Sequence, residues 1–180
     1  MFALTLLGHR DDSPTEDEWA HVTRGIAYWQ QSDTRLHYSH PPLANAISGL
    51  PLAGDPQNPN LAATAAWKQA DVGRVALEYL KDDYPAARAR LMRARIAAML
   101  GFGVLLAAYV YFFCWTMFGP TTAVAATVLI AFNPTVIAQA RYVTTDLAVA
   151  CAATIAVGEL TSSIAAELVV LPQVPVTTQS

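Results

Sequence analysis

Charged side chains are scarce in this sequence, and one long region has none. Only 14% of the 180 residues are charged and 54% are hydrophobic, an unusual balance for a soluble domain. No charged residue occurs from Ile96 to Ala140. That run is roughly twice the ~20 residues that one transmembrane helix needs, so it predicts two spans. No Lys/Arg-rich run alternates with aromatic residues, so we expect no nucleic-acid partner.

Cysteine is also scarce, which limits the possible disulfides and metal sites. Cys114 and Cys151 both lie in apolar segments, where thiols behave as small hydrophobic groups, and no disulfide framework is visible. His21, His37 and His40 are close in sequence, but one falls in a predicted helix and two in a predicted turn. This spacing does not suit a shared metal ion, so we expect no metal site. The sequence leaves open a divalent ion that acts together with a substrate.

The most polar stretch, residues 13–43, comes just before the apolar half, and we call it the first polar segment. Ser13 with Glu16, and Thr15 with Glu18, each fit a capping box, so a helix is predicted to begin here. Its apolar residues recur at steps of three and four and predict a short amphipathic helix at a membrane interface. These residues are Trp19, Val22, Ile26 and Trp29.

Ser32 and Asp33 should end this helix. The chain from Leu36 to Ser39 should then be extended, because a residue that precedes proline disfavours the α conformation. Further along, the composition predicts a loop at residues 54–60 and a second surface helix at residues 61–84.

A row of arginines follows Pro85, where a third element should begin. It consists of Arg88, Arg90, Arg93 and Arg95. Guanidinium groups at a membrane surface suit phosphate binding. They can equally set membrane topology or contact anionic lipid headgroups, and the sequence alone leaves both alternatives open.

The apolar half predicts a membrane hairpin and a weaker third span. The first span should run from Ile96 to Phe118, turn at Gly119-Pro120, and continue to about Ala131 before Asn133-Pro134 breaks the helix. Residues 147–171 could form a third span, although each of its two acids would cost about 2.5–3.5 kcal/mol at mid-bilayer. Residues 172–180 should be disordered.

The predicted fold is therefore an all-α polytopic membrane protein with amphipathic juxtamembrane helices. Residues 1–95 would hold the remnant of a first helix and an external loop, 96–140 the hairpin, and 141–171 a second external loop with the weak span. Both open ends of a hairpin lie on one side of the membrane. The first polar segment and residues 141–146, which we call the second polar segment, can therefore form one site.

The acids of these two segments have a functional and a structural interpretation. Asp17 or Glu18 could act as a base that deprotonates an acceptor. Acids at a helix N-terminus also simply stabilise the helix dipole, by about 0.3–1 kcal/mol each. Asp146 has the same two interpretations, because it follows two threonines that could cap a helix.

The order of these motifs resembles the C-type membrane glycosyltransferases (the GT-C fold), which include protein O-mannosyltransferases and the lipid A aminoarabinose transferase. The matching residues are Asp17-Glu18-Trp19-Ala20-His21, Gly25, Tyr28, His40-Pro41-Pro42-Leu43 and Ala140-Arg141-Tyr142-Val143-Thr144-Thr145-Asp146. Together they cover most of residues 13–150.

The resemblance implies a hexosyl or pentosyl transferase in the cell inner membrane, with the first polar segment outside the cytoplasm. Its donor would be a polyprenyl-phosphate-linked sugar, its acceptor a protein or a glycolipid, and no other cofactor is implied. The implied catalytic residues are Asp17, as the base, Glu18 and Asp146. The implied substrate-binding residues are His40, Arg93, Arg141 and Tyr142, with the two arginines on the donor phosphate.

Two departures from this family bear on the interpretation. Its members have more spans and a complete first helix, so we expect this chain to be an N-terminal part of such a protein. The positive-inside rule would place the arginine row in the cytoplasm, whereas the family places it outside. We follow the family here, because phosphate binding would explain these arginines.

Two other hypotheses have no catalytic role for the chain. It could be a non-catalytic membrane fragment or a lipid-binding small subunit, whose arginines and aromatic residues only contact lipid. A transporter segment is disfavoured, because it would need ionisable residues near mid-span and residues 96–140 contain none.

Overall fold

The computed structural model describes residues 3, 5, 12–37, 40–81 and 84–170 of the chain. Every regular element in these ranges is helical and none is a strand, which confirms the prediction of an all-α fold. The predicted first-helix remnant falls largely outside the described residues, and the predicted disordered tail at 172–180 lies wholly outside them.

Helix α1, Glu16–Gln31, is more deeply buried than its amphipathic pattern predicts. Of the two predicted capping boxes, the one between Thr15 and Glu18 forms, and Ser32 ends the helix in a left-handed conformation. The predicted apolar stripe faces the core, but all seven residues from His21 to Ala27 are buried. Other parts of the chain therefore cover the middle of α1, while Glu16, Asp17 and Trp29 stay exposed. The position of α1 at a membrane interface stays a prediction.

Short helices and turns surround α1. In chain order they are a 3₁₀ turn at Arg35–His37, α2 at Pro42–Gly49, 3₁₀ turns at Leu50–Leu52 and Leu61–Ala63, α3 at Ala65–Lys68 and α4 at Val72–Lys81. Two expectations are corrected here. The first 3₁₀ turn covers part of the segment predicted to be extended, of which residues 38–39 lie outside the description. The predicted helix at 61–84 is interrupted, because Ala70 adopts a positive φ between α3 and α4.

The longest helical stretch begins at the predicted proline and continues to the hairpin turn. It consists of α5, Tyr84–Ala98, a π-helical segment, Met99–Val104, and α6, Leu105–Phe118. A 34-residue part of it, Pro85–Phe118, is long and apolar enough to cross a membrane.

Gly119 forms the predicted turn, with a φ of 88° that a glycine adopts without strain. Helix α7, Pro120–Ala131, follows it, and α8, Pro134–Ala140, is bent by 60° from α7. The side chain of Asn133 caps α8, which explains the break. Helix α9, Asp146–Val170, contains the second candidate span, at Asp146–Ala166. The described residues thus contain two possible membrane spans, or three if the bent pair counts as one.

The buried apolar residues form two separate clusters. The first lies around α1 and includes Val22, Ile26, Trp67 and Leu91. The second lies between the π-helical segment and the start of α9, and its members include Met99, Phe102, Ala140 and Leu147. Val143 belongs to the first cluster although it follows the apolar hairpin of α6 and α7 in sequence. The second polar segment is therefore packed onto the unit formed by the first.

Two glycines allow α1 and α2 to cross in backbone contact. A Cβ added at Gly25 would meet the backbone oxygen of Asn45 and lie 2.9 Å from the Cα of Gly49. Both neighbours are backbone atoms, which a rotamer change cannot move. This crossing fixes α2, and with it the residues just before α2, relative to α1.

We predict that Gly25→Ala lowers the free energy of unfolding by about 1–3 kcal/mol, because the two helices must separate to admit the methyl group. Gly54→Ala is the matched control, since nothing lies within 4 Å of a Cβ at that position. Chemical denaturation of the two variants in the same detergent would compare them. Equal stability of both variants would contradict the close crossing.

Candidate functional site

A buried carboxylate joins the two polar segments. Glu18 and Arg95 are 0% and 1% exposed, and both carboxylate oxygens of Glu18 accept hydrogen bonds from the guanidinium, at 2.8 and 2.7 Å. The backbone N–H of Val143 donates to the same carboxylate at 2.9 Å, and the backbone N–H of Thr15 donates to it at 3.0 Å. Glu18 therefore links α1, α5 and the second polar segment.

Two further contacts hold the second polar segment in place. The guanidinium carbon of Arg95 lies 5.3 Å from the centre of the Tyr142 ring, within the range of a cation–π contact. Arg141 forms an ion pair with Asp12 at 2.5 Å. The ends of the hairpin therefore meet, as the turn at Gly119-Pro120 predicts. Glu18, Arg141 and Tyr142, all predicted site residues, lie in this junction.

A cavity of about 380 Å³ lies between α1 and α4, and it contains two other predicted site residues. Asp17 and His40 both line it. Its other lining residues are Glu16, Trp19, Ala20, Arg24, Val72, Gly73, Ala76 and Leu77. Asp17 is exposed, whereas its neighbour Glu18 is buried in the junction. Of Asp17 and Glu18, Asp17 is thus the acid that lines the cavity, as the exposed Glu16 also does.

His21 packs against His40, one of the residues that line the polar cavity. Its Nδ1 lies 2.8 Å from Oδ1 of Asn45, a separation at which the Nδ1–H tautomer donates, and its ring meets the His40 ring edge-on with centres 4.9 Å apart. Burial lowers the pKa of His21 most, and Arg24 and His40 lower it further, while the hydrogen bond to Asn45 and the charge of Asp17 oppose them. At neutral pH the His21 ring is therefore uncharged.

The arginine row is largely engaged in internal contacts. Arg93 pairs with Asp55, and Arg90 donates to the backbone oxygen of Gln57 at 3.2 Å, so both hold the loop predicted at residues 54–60. Backbone and side-chain hydrogen bonds from neighbouring groups, first of all from Arg93, keep the pKa of Asp55 low. Arg93 remains 45% exposed, whereas Arg95 is fully committed to the junction.

Asp146 and Arg93 are not brought into the cavity. Asp146 is the first residue of α9 and is exposed, and it does not line the cavity with Asp17. Arg93 lies on α5 beside the loop. The structure therefore divides the predicted residues into a cavity pair, a junction group and two separate positions. Their roles stay predictions.

A second cavity, of about 310 Å³, is apolar, and its lining begins at the residue after His40. Pro41 and Leu43 line it from one side, and residues of the π-helical segment, α6 and α9 line the other. His40 lines the polar cavity and the next residue, Pro41, lines the apolar cavity, so two neighbouring residues contribute to different cavities. Within the described ranges, no three His, Cys, Asp or Glu side chains are grouped to hold a metal ion.

Sequence reasoning did not assign three residues of this region. Arg95 was one of four similar arginines, and only the fold shows that it reaches Glu18, 77 positions away. His21 and Asn45 are 24 positions apart, and this separation gave no signal of the hydrogen bond between them.

Comparison with protein-family models, curated proteins and solved structures finds no match to this chain.

We predict that Arg95→Met costs about 3–5 kcal/mol of unfolding free energy, because it leaves the Glu18 carboxylate buried without its cation. The double variant with Glu18→Met should recover most of this loss. Arg93→Met is the control on the same helix, and its ion pair with Asp55 should contribute at most about 1 kcal/mol, because the Arg93 side chain is 45% exposed. Denaturant unfolding measures all three. Equal losses for the two single arginine variants would exclude a special role for the junction.

His21 gives the stability a predictable dependence on pH. Its pKa in the folded chain lies below the ordinary value of 6.5, so the unfolded chain binds more protons as the pH falls through that value. Relative to His21→Gln, the wild type should keep its full stability above about pH 6.5 and lose stability below it. Melting temperatures of both between pH 7.5 and 5.5 test this.

Asp33→Asn is the control for that series. The backbone hydrogen bond from Arg35 helps to hold the pKa of Asp33 below its ordinary value of 3.8, so this variant should follow the wild type across the range. A constant difference between wild type and His21→Gln at every pH would show that His21 does not titrate differently on folding.

Proposed function

We propose that the protein takes part in transferring a sugar from a polyprenyl-phosphate-linked donor to an acceptor outside the cytoplasm. The observation that carries this proposal is that the neighbouring residues His40 and Pro41 line two cavities, one polar and one apolar. A lipid-linked sugar has the same two parts, and it needs a polar site close to an apolar groove. The residue roles proposed below follow from the GT-C resemblance of the motifs.

The chemistry assigns the proton transfer to Asp17. The acceptor hydroxyl or amine attacks the anomeric carbon, the bond from that carbon to the phosphate oxygen breaks, and the phosphate leaves with the electron pair. Asp17 takes the acceptor proton, as expected for an exposed carboxylate in the polar cavity. Glu18 supports this step by fixing the start of α1, because its carboxylate is engaged by Arg95 and Val143.

The leaving phosphate needs positive charge, for which Arg141 and Arg93 are the proposed sources. Each forms an ion pair in the structure, with Asp12 and Asp55 respectively, and its guanidinium would have to leave that carboxylate or bind the phosphate beside it. His40, which lines the polar cavity, would contact the sugar-phosphate. Asp146 is the proposed second acid of the site, and Tyr142 keeps the second polar segment against Arg95.

A second candidate function is lipid binding without catalysis, as a membrane fragment or small subunit. The apolar cavity favours this function as much as it favours the first. The internal pairs of the arginine row favour it more, because they leave fewer free cations for a phosphate. In either function, we propose the inner membrane as the location, with the first polar segment outside the cytoplasm.

We predict that Asp17→Asn lowers the rate of sugar transfer from a polyprenyl-phosphate donor by about 100-fold or more, the usual loss on removing a catalytic base. The stability of this variant should change little, because the Asp17 side chain is exposed. Asp33→Asn changes a partly exposed acid that follows α1 and lies outside the cavity, and it should leave the rate unchanged.

Three results separate the hypotheses. A rate that is unchanged in Asp17→Asn would remove Asp17 as the base. No transfer by the wild type, combined with retained binding of the polyprenyl phosphate itself, would favour lipid binding without catalysis. No binding of that lipid would contradict both functions.

A further inference from the structure

Glu159 is an exposed acid in a helix that could cross a membrane. It lies on α9 within the candidate span Asp146–Ala166. It follows Asp146 by thirteen residues, about 20 Å at the 1.5 Å rise of an α-helix, and a hydrocarbon core is about 30 Å thick. In a spanning α9, Glu159 is therefore inside the hydrocarbon layer. Acids at such depth face a partner or a water-filled space in known membrane proteins.

In the described structure, the Glu159 carboxylate is only partly hydrogen-bonded. The Tyr109 hydroxyl, on α6, lies 3.2 Å from Oε1 of Glu159 and 3.1 Å from the backbone oxygen of Ile155. One O–H group donates fully to only one of these acceptors, while an ionised carboxylate accepts several hydrogen bonds. Within the described part of the chain, Tyr109 is the one side chain that donates to this carboxylate.

The approach of Tyr109 depends on Gly158. A Cβ at this position would meet the Tyr109 hydroxyl and lie 3.0 Å from two carbons of its ring. Beside this contact, α6 and α9 separate into a cleft of about 510 Å³, lined by both Tyr109 and Gly158. Aromatic residues of α6 and small residues of α9 form the walls, so the cleft could accept the side chains of another helix.

The other polar groups of the cleft are already satisfied within α9. The hydroxyls of Thr154 and Thr161 donate to the backbone oxygens of Ala150 and Val157, at 2.7 and 2.8 Å. Glu159, beside the cleft, is therefore the polar group whose charge is not compensated by the residues around the cleft. In a medium of low dielectric constant, a cation compensates a carboxylate most effectively.

This cation does not come from the spans of this chain. After Arg95 the sequence has one basic residue, Arg141, which pairs with Asp12 at the other end of the membrane helices. We propose that the α6/α9 cleft docks a membrane-spanning helix from outside this sequence, and that this helix carries a lysine or arginine at the depth of Glu159. A second copy of the chain fits less well, because its spans offer no cation.

The test uses the full chain, labelled with a fluorophore, in phosphatidylcholine vesicles. The probe is a synthetic leucine–alanine transmembrane peptide with one central lysine, and energy transfer reports its association. The matched peptide has leucine at that position. We expect the lysine peptide to bind the wild type about tenfold more tightly than the leucine peptide, and Glu159→Leu to remove the difference.

A relocated acid tests whether the cleft matters. Ala125, on α7, is exposed and lies away from the cleft. Ala125→Glu in the Glu159→Leu background should not restore preference for the lysine peptide. Full restoration would show that any exposed acid suffices and would overturn the proposed docking site. Circular dichroism confirms that each variant is folded before binding is compared.

Two other results would also overturn the proposal. Equal binding of both peptides by the wild type would show that Glu159 does not select a cation. Self-association of the chain that depends on Glu159 and excludes the lysine peptide would assign the cleft to a second copy. None of these measurements depends on sugar transfer.

Discussion

The buried ion pair between Glu18 and Arg95 is the interaction on which the arrangement of this chain depends. A carboxylate and a guanidinium removed from water stabilise a fold only when their remaining hydrogen-bonding groups are also satisfied. Glu18 meets this condition, because it accepts hydrogen bonds from backbone N–H groups in both polar segments, those of Thr15 and Val143. The same side chain completes the capping box of α1, so the start of this helix and the docking of the second polar segment are coupled. A change at either end should therefore affect the other.

This coupling relates the polar unit to the apolar helices that could cross a membrane. Arg95 lies on α5, only a few residues before the π-helical segment, and α5 and α6 form one long helix into the apolar region. After the hairpin, the chain returns to the ion pair of Glu18 and Arg95, and Val143 packs in the first apolar cluster. His40 and Pro41, which line the polar and the apolar cavity, belong to the segment between α1 and α2.

The sequence predicted the elements better than their contacts. Capping boxes, Pro85, Gly119-Pro120 and Asn133-Pro134 act locally, and the structure places helix ends at or beside each of them. The burial of the middle of α1 was not predictable from its pattern, because Thr23 and Arg24 are polar and yet buried, with Arg24 donating to the backbone oxygen of Leu36. The 3₁₀ turn at Arg35–His37 and the break at Ala70 were not predicted either. Likewise, four arginines of one row are equivalent in sequence, and only the fold separates Arg95 from Arg93.

Hydrogen exchange at the backbone amide of Val143, in the full chain reconstituted in a bilayer, tests directly whether Glu18 holds the two polar segments together. We expect strong protection of this amide in the wild type, because it donates to a buried carboxylate. Glu18→Ala should remove that protection while amides within α6 and α7 stay protected. An amide that exchanges freely in the wild type, or one that stays protected in Glu18→Ala, would contradict the claim that Glu18 holds the two polar segments together.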